Sequence, residues 1–195
     1  MLEEMKLLST EVRPVDIWDE VVKSLSDLEL RPEFLVEEVP APARLAPHSF
    51  ALALDVVDAD DNDLASGRFV VLYDPDGQET WNGNLRIVTF VRAPIEDDVV
   101  TDDLFDDVAW SWLTDALNES EQGFHNISGT VTRTISKSYA GIEDRKASAE
   151  VEVRASWTPN GANIGEQLMS WLSFVEQTSG LLPLPPGVSA ISRSR

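Results

Sequence analysis

Apolar residues recur along this chain at helical spacing in some segments and in alternation in others. Ile17, Trp18, Val21, Val22, Leu25 and Leu28 share one helical face, which predicts a helix from about Pro14 to Glu29. Pro14 suits its first turn, and Arg31-Pro32 ends it. A short strand, Phe34 to Glu38, leads into a stiff connector running from Pro40 to Pro47. Three strands are predicted next, at Ser49 to Val57, Arg68 to Tyr73 and Leu85 to Arg92. An acidic loop joins the first two. Asp74-Pro75-Asp76-Gly77 has the composition of the turn joining the second pair, with Pro presetting φ and Gly free to take a positive φ. Phe69 to Tyr73 is apolar throughout, so this strand is expected at the centre of a meander, covered on both faces.

A second helix is predicted from Thr101 to Glu119. Its stripe is Leu104, Phe105, Val108, Ala109, Trp112, Leu113, Ala116 and Leu117. Asp102, Asp103, Asp106 and Asp107 occupy its first turns, where carboxylates favour the positive helix end. Trp110 points about 145° from the centre of that stripe. Two strands follow, Thr130 to Tyr139 and Ala147 to Trp157. In the second, Ala149, Val151, Val153, Ala155 and Trp157 alternate with polar residues, the mark of a half-buried strand. The pairing register stays open: one choice sets Arg133 opposite Glu152, and a one-residue slip does not. A third helix runs from Ile164 to Thr178, with Asn163 and Glu166 at capping-box spacing and Gly180 as its C-terminal stop.

These elements predict an α+β fold: an antiparallel sheet of five or six strands with three helices, in the order α-β-β-β-β-α-β-β-α. One domain is expected over residues 14–180, between a flexible N-terminus at 1–13 and a proline-rich tail at 181–195.

Charge changes the picture more than composition does. The chain carries a net charge of -20, yet its acids lie between regular apolar stripes, so it folds and wears a negative surface. Such a surface repels nucleic-acid backbones and acidic membranes and steers a basic protein partner toward it. No cysteine is present, which excludes disulfides, thiolate metal sites and cysteine nucleophiles. No apolar run is long enough to cross a membrane, and the first residues lack an apolar signal core, so a cytoplasmic location is expected.

Candidate chemistry is sparse. Asp58, Asp60 and Asn62 begin like a calcium loop, but Asp63 stands where such a loop needs Gly and Phe69 where it needs a bidentate Glu. His48 and His125 fall in predicted loops, without a nucleophile elbow or a metalloprotease motif, and phosphate-loop signatures are missing. No cofactor is expected. Glu79 beside Trp81 is the candidate pocket pair, because an indole can desolvate a neighbouring acid. Trp110, rimmed by Asp103, Asp106 and Asp107, is the candidate interaction site for a partner or for a second copy in a homodimer.

Several stretches, among them Arg31-Pro32-Glu33, Glu38-Val39-Pro40-Ala41-Pro42, Arg44-Leu45-Ala46-Pro47, Trp110-Ser111-Trp112-Leu113, Gly129-Thr130-Val131-Thr132-Arg133, Arg154-Ala155-Ser156-Trp157-Thr158-Pro159 and Pro185-Pro186-Gly187-Val188, occur in order. Together they resemble the actinobacterial family called domain of unknown function 3000, over roughly Arg31 to Val188. The resemblance implies a bacterial cytoplasmic protein and supplies no activity or site residue. The element order also looks like that of the small acidic chaperones of bacterial secretion systems, a likeness of fold alone. The expected function is a non-catalytic binding, adaptor or chaperone-like module. The alternatives are an enzyme with a carboxylate-based site, and an acidic nucleic-acid mimic or cation-binding regulator.

Overall fold

The alternating segments pair into one antiparallel sheet. The computed structural model describes residues 14–26, 28–96, 102–140 and 148–181. Among these, the elements are α1 (Pro14–Ser24), β1 (Phe34–Glu38), β2 (His48–Val57), β3 (Asp63–Gln78), β4 (Gly83–Ile95), α2 (Phe105–Asn118), β5 (Phe124–Ser136), β6 (Ser148–Pro159) and α3 (Ile164–Ser179). The six strands lie in the order β1-β2-β3-β4-β6-β5. This is the predicted α+β fold with its predicted element order. Residues 1–13 and most of the tail lie outside the described residues.

All three helices pack on one face. Leu54, Phe69, Val71, Ile87, Val153 and Trp157 point toward them from the sheet, and Val21, Leu113, Leu168, Trp171 and Val175 meet them from the helices. Strand period sets the first group and helical period the second. Gly165 lets α1 approach α3: a Cβ there would overlap the carbonyl oxygen of Ser24, while the Gly165 N–H donates to Ser24 Oγ at 3.1 Å. Gly165→Ala is expected to push α1 off α3 and to lower stability by about 1–3 kcal/mol in denaturant unfolding.

Several details differ from the pattern reading. Helix α1 ends at Ser24, short of Glu29, and Leu25 and Leu28 pack on the core from beyond its end. Asp74-Pro75-Asp76-Gly77 does not reverse the chain. It forms an irregularity within β3, where the register shifts between Tyr73 and Gln78, and residues 79–82 make the reversal. Pro75 has no N–H to give a ladder, Asp74 Oδ1 accepts from the Asp76 N–H at 3.1 Å, and Gly77 takes φ 74°. Turn chemistry here builds a bulge. Asn163 does not cap α3 by its side chain; Glu166 Oε1 instead accepts from Ser120 Oγ, at 2.9 Å, and from the Glu121 N–H, at 2.5 Å.

The β5–β6 register sets Arg133 opposite Val151 and Thr132 opposite Glu152. Arg133 therefore faces the helices. Its Nε lies 2.8 Å from Asp106 Oδ1, and its Nη1 donates to the Asp102 carbonyl at 2.7 Å.

Arg31 ties the start of β1 to α3, lying 3.3 Å from both Glu33 and Glu176. Burial opposes ionisation of Glu33, but the hydrogen bond and charge of Arg31 outweigh it and hold that carboxyl below its ordinary value. A depressed carboxylate stabilises above its unfolded value and loses that contribution as pH falls through its folded value. Wild type is therefore expected to exceed Glu33→Gln in stability at neutral pH. The gap should close between about pH 5 and pH 2 in acid titrations of unfolding.

Candidate functional site

The helices cover one face of the sheet, and a connector covers part of the other. Val39, Ala41, Ala46 and Trp81 pack over Ala51, Val70 and Leu72, so the central strand is covered on both sides as its composition predicts. Gln78 Nε2 donates to the Leu45 carbonyl at 3.4 Å, and Thr158 Oγ1 donates to the Trp81 carbonyl at 2.5 Å. These bonds pin the connector and the 79–82 turn to the sheet.

Where that cover ends, a groove of about 870 Å³ opens across β2, β3, β4, β6 and β5. Strand register arranges its side chains in rows, because directly paired residues share a face. One row runs Ala51, Val70, Val88, Ser156, Ser128. The next runs Glu37, Ala53, Arg68, Phe90, Arg154, Thr130. A third runs Leu35, Asp55, Ser66, Arg92, Glu152, Thr132. The floor is thus apolar at Val70, Val88 and Phe90. Two arginines flank the aromatic ring, with the Arg154 guanidinium 5.5 Å from its centroid. Arg154 also pairs with Glu152 at 2.6 Å, and Arg92 pairs with Glu150. Arg68 makes no ion pair among the described residues.

At one end of the first row lies Arg86, only 8% exposed. Its Nη1 donates to the Asn126 carbonyl at 2.7 Å and to Thr158 Oγ1 at 3.2 Å. Its Nη2 donates to Ser156 Oγ at 2.6 Å, to the Ser156 carbonyl at 3.3 Å and to Ser128 Oγ at 3.4 Å. Every acceptor is neutral. Burial weakens its hold on the proton and lowers its pKa.

The sequence-selected residues lie elsewhere. Glu79 is exposed on the 79–82 turn, while Trp81 folds into the connector's cover. Trp110 is half-buried, with its ring against Gly129 of β5. Asp103 and Asp107 are exposed, and Asp106 is held by Arg133. The buried arc of α2 is Phe105, Ala109, Leu113, Ala116 and Leu117. It is turned from the predicted stripe, leaving Leu104 and Val108 exposed.

Both histidines lie on strands instead of loops. His48 packs at a tilt against Trp18 and Tyr73, and His125 Nε2 donates to the Asn82 carbonyl at 3.0 Å. They sit on β2 and β5, with three strands between them, and do not meet. Asp58 spends its oxygens on its own loop, accepting from the Asp60 and Asn62 N–H groups and from Asn62 Nδ2. No cluster of His, Asp and Glu fit to hold a metal occurs among the described residues.

The groove residues escaped the sequence reading. One signal was available: in β4, Val88 and Phe90 are apolar on the same parity as Arg86 and Arg92, the parity that faces away from the helices. The molecule is an α+β protein with one helix-covered sheet face and one grooved face. It belongs to the family described as "Protein of unknown function (DUF3000)", which matches residues 14–189. Neither a curated protein nor a solved structure matches the chain. No helix of the described residues is long and apolar enough to cross a membrane.

Proposed function

We propose that this protein is a non-catalytic binding module of the cytoplasm, and that it receives its partner on the grooved face of the sheet. One observation carries the reading: Val88 is exposed and Phe90 only half-buried on the uncovered face in the middle of the sheet, with Phe90 between Arg68 and Arg154, in a chain of net charge -20. Apolar side chains at the centre of a groove with polar groups around them are the usual make-up of a ligand site. The lining supplies Ser128, Thr130 and Ser156 as hydrogen-bonding groups and includes one acid, Asp55, among the described residues.

The cysteine-free chain gives a clean test. Val88→Cys places one thiol in the groove, and Met169→Cys places one on exposed α3 as a control. Native lysate is expected to slow maleimide labelling at position 88 and to leave position 169 unchanged. Equal labelling rates at position 88 with and without lysate would sink the reading.

A second surface has its own support. Leu104, 66% exposed at the N-cap of α2, and Val108 lie one turn apart, beside Asp103 and Asp107. An apolar pair next to acids suits a basic protein partner or a second copy of the chain. Lysate protection of a Val108→Cys thiol, absent at position 88, would favour this surface over the groove.

A further inference from the structure

Arg86 makes the groove more than an apolar trough. A buried cation is costly unless an anion compensates it, and the described residues place no carboxylate in reach of this one. Its strongest side-chain acceptor, Ser156 Oγ, lies in the groove lining, as does Ser128 Oγ, 3.4 Å from Ser156 Oγ. A hydroxyl oxygen that accepts from a guanidinium keeps its own proton to donate. One of these protons can satisfy the neighbouring hydroxyl, which leaves the other for a group in the groove. The pair of serines thus passes the field of a buried charge to the groove surface.

One row away, two residues along the strands, Phe90 lies between Arg68 and Arg154. That spacing is about 7 Å. An apolar platform and a polarised donor pair therefore lie side by side within a groove of about 870 Å³.

We propose that the groove binds a small amphipathic anion. Its apolar body lies on Val70, Val88 and Phe90, and its carboxylate or other single anionic head accepts hydrogen bonds at Ser128 and Ser156, backed by Arg86. The proposal rests on the reading of the grooved face as the binding surface and names what that surface takes.

Size decides against a polyanion. Screening at physiological salt cuts off exposed charges beyond about 8 Å, so a small anion in the groove feels Arg68, Arg86 and Arg154, set against Asp55 and the Arg154-paired Glu152, more than the acids elsewhere on the chain. A nucleic-acid strand would leave the groove and run over the acidic surface that gives the chain its net charge of -20.

The test is calorimetric titration of the full chain with octanoate, with uncharged octanamide and with inorganic phosphate. Octanoate is expected to bind about tenfold or more tightly than either, since only it joins an apolar body to a charge. Ser156→Ala should weaken octanoate about tenfold and leave octanamide unchanged. Arg154→Gln, which changes a residue on the groove surface, should weaken octanoate in the same direction and keeps the test open if Ser156→Ala unfolds. Equal binding of octanoate and octanamide overturns the proposal, as does the absence of octanoate binding. Tighter binding of a short oligothymidylate than of octanoate overturns it too. If octanoate fails while lysate still protects the Val88→Cys thiol, the grooved face remains the binding surface and only the ligand class falls. If that thiol is not protected either, both readings fall.

Discussion

Trp157→Ala is expected to lower the unfolding free energy by about 3–5 kcal/mol, the largest single loss in the molecule. Trp157 is fully buried at the centre of the helix-covered face, opposite Ile87 and edge-on to Phe69 at 6.4 Å. It is also a donor. Its Nε1–H reaches Gln167 Oε1 at 2.7 Å, and Gln167 Nε2 in turn donates to Ser120 Oγ at 3.0 Å. Removing the indole therefore opens a cavity and leaves a fully buried amide oxygen without its partner. A paired comparison separates these losses. Trp171 is as deeply buried, but its Nε1–H makes no hydrogen bond among the described residues. Trp157→Phe should thus cost more than Trp171→Phe in denaturant unfolding, because only the first strands an acceptor. Equal losses would show that volume alone matters at these positions.

Trp110→Ala is expected to cost about 3 kcal/mol, the low end of the range for a large aromatic, since the ring is only partly buried. The indole fills the space above Gly129: a Cβ added there would come 2.5 Å from Trp110 Cζ3 and would also overlap the Arg154 carbonyl oxygen. Gly129→Ala should therefore destabilise the protein. Adding Trp110→Ala should relieve only part of that loss, because the carbonyl stays in place. A double-mutant cycle by chemical denaturation reads both effects. A Trp110→Ala variant of wild-type stability that no longer binds a partner or self-associates would instead make Trp110 a contact residue.

The fold was legible because its periods are clean. Alternation in Ala149 to Trp157 and the helical stripe of Ile164, Leu168, Trp171, Leu172 and Val175 each point to one side of one sheet. The errors arose where one residue type serves two structures. The Asp-Pro-Asp-Gly run serves a bulge as well as a turn, and only the ladder tells them apart. On α2, the apolar stripe was wide enough to hide which arc faces inward. The structure rotates the helix so that Trp110 covers Gly129 and Leu104 faces out.

The groove was half legible. Val88 and Phe90 show by parity alone that apolar side chains lie on the face away from the helices. Arg86 could not be read, because its partners lie 40 to 72 residues away and meet it only through the β4–β6–β5 pairing.

The central claim is that the grooved face of the sheet holds the partner, and one measurement bears on it most directly. The protein is incubated in native lysate, recovered by gentle gel filtration and weighed by native mass spectrometry. Wild type is expected to carry added mass. Val88→Arg, which fills the groove, should lose that mass, and Met169→Arg on the helix side should keep it. Added mass that survives Val88→Arg but disappears with Met169→Arg would contradict the account and move the binding surface to the helices.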